Sequence, residues 1–234
     1  MPRCGIELTS NDPALLSFLV KYPANPSWVV IEVKGTYYLI SPSFQGLTAP
    51  HEVWQAADNL LFVLNGIMKL KFKYANLVRG STVAYFDESG QLVSATVSKN
   101  IVGRANISAG EPFFQNAEAQ NPGILDIWLK AQNNDIIEET LQHYSNEHNW
   151  FNLYKVYETI RRDTYRLEEK RIIPRGTFDK WTKGRKVDFD ESANRERHSS
   201  FVYTPKPGVT IVYMSLQEAD EFVTTLFSLW LRSK

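Results

Sequence analysis

An antiparallel β-hairpin is predicted by residues 28–40, which read WVVIEVKGTYYLI. β-Branched and aromatic residues, which favour strands, fill both arms, from Trp28 to Val33 and from Tyr37 to Ile40. Lys34-Gly35-Thr36 separates the arms, and glycine suits a tight hairpin turn because it tolerates a positive φ. The first half of the chain is therefore predicted to contain an antiparallel sheet.

The neighbouring segments extend this sheet and add one helix. A second hairpin is predicted over residues 82–97, where Asp87-Glu88-Ser89-Gly90 separates two strand-like segments. Apolar residues at helical spacing between positions 53 and 64 predict a helix that stops at Asn65-Gly66. Residues 67–74 alternate as a strand would. One helix over an antiparallel sheet is the economical assembly.

The second half of the chain is predicted to be helical. Apolar faces recur over residues 124–144 and 150–160, with a break at Asn133-Asn134 and a cap at Asn149. Ser215-Leu216-Gln217-Glu218 forms a capping box that opens a final helix. A highly charged segment, residues 174–200, lies between these helical patterns and is expected to be a long polar loop.

The predicted fold class is therefore α+β. An N-terminal antiparallel sheet with one helix occupies residues 1–114, and a C-terminal helical domain occupies residues 121–234. The polar insertion at 174–200 belongs to the second domain, and residues 105–122 form the junction.

The composition narrows the classes of function. Hydrophobic residues make up 43% of the 234 positions, enough for a core, and 26 bases balance 26 acids, so no global field steers the chain to nucleic acid or membrane. The single cysteine excludes an intramolecular disulfide and fits a reducing compartment. No signal-peptide core or run of about 20 apolar residues is present. We expect a soluble cytoplasmic protein without a membrane partner.

The end of the polar loop, residues 194–200, holds the densest group of reactive side chains. There His198 is a candidate general acid or base, and Arg197 is a candidate to stabilise phosphate charge. Arg195 could bind a phosphate or carboxylate in the same way, while Asn194 and Ser199 could orient the ligand. The alternative is a solvated loop whose charges pair with one another.

A basic segment precedes this cluster. Residues 155–186 contain eleven bases and five acids, with aromatic residues interspersed. Arg162 and Arg166 are candidate ligand contacts, since such a pattern can follow a nucleic-acid backbone. The alternative is that acids such as Glu158 neutralise the bases along one helix. An anionic ligand or RNA is the partner that this segment indicates.

Metal and cofactor chemistry finds little support in the sequence. Glu139, His143 and Glu147 are spaced to share one helix face, but we interpret them as a solvated acidic surface rather than a metal site. The chain has no glycine-rich phosphate loop, GxSxG elbow, HExxH or CxxC pair. No cofactor is therefore predicted.

The C-terminal half resembles a family of uncharacterised bacterial proteins. The matching motifs are Trp150/Leu153-Tyr154-Lys155/Glu158/Ile160, Arg197-His198 and Met214/Leu216/Glu218-Ala219. More distantly, helices followed by a late Arg/His loop resemble the HEPN superfamily, and that resemblance implies metal-independent ribonuclease activity. In the superfamily's signature four to six residues separate the arginine from the histidine, and at the corresponding positions before His198 this chain has Glu191, Ser192 and Ala193.

Three functions follow from these observations. The first is a cytosolic bacterial binding or regulatory protein with an anion site in the 194–200 loop. The second, implied by the HEPN resemblance, is a metal-independent ribonuclease using His198 and Arg197. The third is a protein-interaction module that binds a protein partner through the acidic block at residues 115–149 and the basic block after it.

Overall fold

The computed structural model describes residues 3–22, 26–73, 75–97, 123–197 and 210–234. Contacts divide the chain into two compact units, Met1–Asn116 and Ala117–Lys234. The junction predicted at residues 105–122 lies outside the described residues. Of the helices within the described ranges, none is long and apolar enough to cross a membrane.

The first unit is built on one antiparallel sheet of five strands in the order β2-β3-β1-β4-β5. Its elements are β1 (Arg3–Ser10), α1 (Pro13–Lys21), β2 (Val29–Val33), β3 (Thr36–Ile40), a short 3₁₀ turn (Pro42–Phe44), α2 (Pro50–Phe72), β4 (Leu77–Phe86) and β5 (Leu92–Val97). Helices α1 and α2 pack against the sheet and bury Ile6, Leu8 and Leu39. The α+β class and the antiparallel sheet are confirmed.

Both predicted hairpins are present. Strands β2 and β3 pair with Val33 opposite Thr36, and Lys34 and Gly35 take φ of 53° and 78°. A turn with positive φ at both central residues matches the right-handed twist of the two strands that it joins. In the β4–β5 hairpin Gly90 also has a positive φ, 83°.

Three features of this unit differ from the prediction. The central strand β1 was not predicted, although Cys4, Ile6 and Leu8 alternate as buried residues along it. A second helix, α1, is present in addition to the one expected, and Asp12 caps it by accepting a hydrogen bond from the Ala14 amide at 2.9 Å. Both segments are short and are flanked by polar residues, which obscured their apolar patterns in the sequence.

The third difference is the strand predicted at residues 67–74, which is wrong as far as Phe72, because α2 continues to that residue. Asn65, where the helix was expected to end, lies within α2 and forms a tertiary contact. Its side-chain amide donates to the Leu77 carbonyl at 2.8 Å and its carbonyl accepts from the Leu77 amide at 2.7 Å. Paired with the backbone of β4, a buried asparagine no longer competes with the helix.

The second unit consists of helices. They are α3 (Ile124–Gln132), α4 (Asp135–Ser145), α5 (Trp150–Glu169), α6 (Thr177–Thr182), α7 (Lys186–Arg197) and α8 (Leu216–Arg232). The predicted break at Asn133-Asn134, the Asn149 cap and the Ser215/Glu218 capping box are all present.

The prediction of a long polar loop at 174–200 is wrong as far as Arg197. Up to Arg197 most of this segment is helical, in α6 and α7. Phe178 and Phe189 are fully buried and anchor the two helices, and the Glu168 carboxylate accepts hydrogen bonds from the Gly176 and Phe178 amides at 3.1 and 2.9 Å. Two aromatic anchors and one buried carboxylate stabilise helices that their composition alone does not predict.

Candidate functional site

Helices α5 and α7 pack side by side in opposite directions. Residues near the end of α7 contact the start of α5, and residues near the start of α7 contact its later turns. Tyr154, Tyr157, Arg161 and Tyr165 follow one another at spacings of three or four residues, so one face of α5 presents them to α7. We call this line of contacts the α5–α7 seam.

At one end of the seam Arg197 is held over Tyr154. Its Cζ lies 3.4 Å from the centre of the tyrosine ring, and its Nη2 donates to Asn194 Oδ1 at 2.8 Å. Its Nε also donates to the Ala193 carbonyl at 3.2 Å, so stacking and two hydrogen bonds fix the side chain while the remaining N–H groups can bind a ligand. Two residues of the predicted anion site, Asn194 and Arg197, are thus in contact.

In the middle of the seam Arg161 lies between Tyr157 and Asp190. Its Cζ is 5.4 Å from the Tyr157 ring centre, and its Nη1 is 3.6 Å from the Asp190 carboxylate. Burial works against the charged guanidinium, but Tyr157 and Asp190 outweigh it and raise the pKa of Arg161. Burial and then the Asp190 charge raise the pKa of Tyr157, so its hydroxyl stays neutral.

At the other end Lys186 donates to the Tyr165 hydroxyl at 2.7 Å and lies 5.4 Å from that ring's centre. Asp179 is 3.9 Å away and 69% exposed, so water screens this ion pair. The ammonium is therefore positioned mainly by the hydroxyl and ring of Tyr165.

An open pocket of about 470 Å³ lies against this part of the seam. We call it the cation pocket; it is lined by Glu158, Arg161, Arg162, Tyr165 and Lys186. Arg162 is exposed and forms no ion pair within 4.0 Å with any residue in the described part of the chain, including Glu158 one turn earlier. Three cations therefore border one pocket with one carboxylate among its lining residues.

The other predicted ligand residues lie elsewhere or outside the described ranges. Arg195 stacks 4.7 Å from the centre of the Tyr213 ring and pairs with Glu196 at 3.3 Å. Because residues two apart on a helix face different ways, Arg195 and Arg197 do not converge on one ligand. Arg166 is exposed but does not line the cation pocket. His198 and Ser199 lie outside the described residues.

Of the three cations that line the pocket, two were not among the predicted site residues, Arg161 and Lys186. Both belong to the basic segment, so the sequence contained their charge but not their partners. The available signal was the spacing of Tyr154, Tyr157 and Tyr165 on the face that carries Arg161.

A second open pocket, of about 550 Å³, lies after the end of α5. It is lined by Glu168, Arg171, Ile172, Ile173, Pro174 and Arg175. Its carboxylate, Glu168, already accepts two backbone hydrogen bonds at the start of α6. This pocket is explained by the connection between two helices.

The remaining candidates have structural explanations. Helix α4 ends at Ser145, so Glu147 does not continue the face of Glu139 and His143. Burial raises the pKa of the Cys4 thiol to about 11, so that thiol is almost wholly protonated at neutral pH and a poor nucleophile.

The fold and the site together define an α+β protein whose helical unit carries a tyrosine-supported cation pocket. No family model matches the chain. No curated protein and no solved structure matches it either.

Proposed function

We propose that the protein is a binding or regulatory protein that holds an anionic, phosphate-bearing ligand in the cation pocket. The observation that carries this proposal is the convergence of Arg161, Arg162 and Lys186 on one open pocket. A guanidinium offers five N–H donors in a fixed fork that matches phosphate oxygens, and an ammonium adds a point charge.

The electrostatic balance supports the same ligand class. Lys186 and Arg161 are oriented by tyrosines, and the ion pairs they form, at 3.9 and 3.6 Å, are longer than a hydrogen bond. The Lys186–Asp179 pair has an exposed carboxylate and contributes little to stability, so an incoming phosphate competes with it at small cost, whereas the Arg161–Asp190 pair is more buried. Arg162 forms no ion pair with the described residues that a ligand would have to break.

The setting proposed for this activity is the bacterial cytosol. It is supported by the motifs around Trp150 and Met214 that resemble a bacterial family, and by a single cysteine in a chain that uses no disulfide.

Replacing Arg162 by Gln is expected to weaken binding of inorganic pyrophosphate at least tenfold, measured by isothermal titration calorimetry. The change removes one charge and a bidentate donor from an exposed side chain, so the free energy of unfolding should change by no more than about 0.5 kcal/mol. Arg175→Gln, in the second pocket, is the matched control and should bind like the unchanged protein. Equal affinity in the Arg162→Gln variant would exclude the cation pocket as the site.

The ribonuclease alternative is tested by incubating the purified protein with RNA in EDTA. The binding proposal predicts intact RNA, because it assigns no residue lining the cation pocket a role in proton transfer. Cleavage that disappears in the His198→Ala variant would instead establish a metal-independent nuclease.

A further inference from the structure

We infer that the ligand of the cation pocket is a linear chain of linked phosphates that follows the α5–α7 seam from Lys186 to Arg197. This inference rests on the proposed function and specifies its ligand class. It starts from an arrangement repeated along the seam, in which a cation from α5 or α7 lies over a tyrosine of α5.

The length of the seam excludes a single phosphate as its full occupant. Tyr154 and Tyr165 are eleven residues apart, which on an α-helix is about 16 Å. A phosphate oxygen accepts hydrogen bonds from donors at about 3 Å, so one phosphate cannot contact both Lys186 and Arg197. A ligand that contacts the whole row must carry several anionic groups in line.

The tyrosines make this row a preorganised one. Arg197 is fixed on the Tyr154 ring and by Asn194, and Lys186 is fixed by the Tyr165 hydroxyl. Ordering long cationic side chains before the ligand arrives removes part of the entropy cost of binding. Free surface lysines and arginines would not have this advantage.

The same tyrosines are not available to stack nucleotide bases. Arg197 covers the Tyr154 ring, Tyr157 is fully buried, and the Tyr165 ring lies under Lys186 and against Phe178. Base-stacking platforms need exposed aromatic faces, so recognition here depends on phosphates and not on base identity. Inorganic polyphosphate and the backbone of a single-stranded nucleic acid share this chemistry.

The carboxylates near the seam limit the affinity without preventing binding. Asp190 faces Arg161, Asp179 faces Lys186, and Glu158 lines the pocket. With Arg161, Arg162, Lys186 and Arg197 the row keeps an excess of positive charge, and the exposed Asp179 is screened by water. If three of these cations each contact one phosphate of a single strand, we expect a plot of log affinity against log salt concentration to have a slope of about −2.

The test is a titration of the full chain with inorganic phosphate, pyrophosphate, tripolyphosphate, a longer linear polyphosphate and an oligonucleotide of deoxythymidine. We expect affinity to rise with each added phosphate. We also expect Arg197→Gln to weaken the longer ligands about tenfold while leaving inorganic phosphate unchanged. Arg195→Gln removes the same charge from the same end of α7 but on another side, so it should bind all ligands normally.

Three outcomes separate this inference from the proposed function. If pyrophosphate binding depends on Arg162 but chain length and Arg197→Gln have no effect, the linear ligand is wrong and the anion pocket stands. If Arg162→Gln binds every ligand normally, both are wrong. A rise in affinity with polyphosphate length but not with the oligonucleotide, or the reverse, supports the phosphate chain and identifies its source. Thermal unfolding of Arg197→Gln checks that α7 remains folded.

Discussion

Replacing Asp163 by Ala is expected to lower the free energy of unfolding of the helical unit by about 3 kcal/mol. Asp163 is 3% exposed on α5, and its carboxylate accepts a hydrogen bond from Trp230 Nε1 at 2.8 Å and another from Lys234 Nζ. Removing the carboxylate leaves a buried indole N–H and a nearly buried ammonium without their acceptor. That loss is large against a typical domain stability of about 5–15 kcal/mol.

Chemical denaturation with urea measures this loss of stability. Two further variants separate the contribution of the Trp230 hydrogen bond from that of the Lys234 ion pair. Asp163→Asn keeps an acceptor for Trp230 but loses the charge, so it should cost less than Asp163→Ala. Lys234→Met keeps the Trp230 hydrogen bond and strands the carboxylate, so it should also destabilise the unit. A change below about 0.5 kcal/mol for Asp163→Ala, the scale of ordinary surface substitutions, would contradict the account.

Replacing Phe189 by Ala is expected to cost about 3–5 kcal/mol, the usual range for a buried phenylalanine. Phe189 is fully buried, and its ring centre lies 4.5 Å from that of Tyr157 and 5.2 Å from that of Phe222. It is the large aromatic anchor of α7, a helix otherwise rich in charge. Its removal should release α7 from α5 and with it Lys186 and Arg197.

This substitution therefore predicts a combined loss of stability and of binding. Urea unfolding gives the first, and pyrophosphate titration below the unfolding transition gives the second. Phe189→Leu retains most of the volume and should cost less than half as much. Val187→Ala, on an exposed side chain of the same helix, should change neither quantity. Full pyrophosphate affinity in a destabilised Phe189→Ala variant would show that α7 is not needed for the pocket.

Local signals in the sequence predicted much of the fold. The hairpin at 28–40 has strand-favouring arms and a turn containing glycine, and both hairpins form as expected. The caps Asn149 and Ser215 mark the helix starts because a side-chain oxygen there satisfies an otherwise free backbone amide. These features depend on neighbours within a few residues, which a sequence shows directly.

Features that depend on distant partners were predicted poorly. Asn65 looked like a helix stop because its bonds to Leu77 come from twelve residues away. The charged segment 174–200 looked like a loop because the contacts of Phe178 and Phe189 with Tyr157 were invisible. In each case a tertiary contact outweighs a weak local preference.

The candidate site also has features that local sequence determines and features that distant contacts determine. By itself the sequence determined the charges of the basic segment, the α+β class and the caps, since composition, periodicity and short-range hydrogen bonding fix them. Tertiary packing alone placed Arg161, Arg162 and Lys186 around one pocket and stabilised α7 as a helix, on which Arg195 and Arg197, two residues apart, face different sides. The reason is physical: the direction of a charged side chain depends on which helix packs beside it, and that packing depends on aromatic contacts between residues more than twenty positions apart.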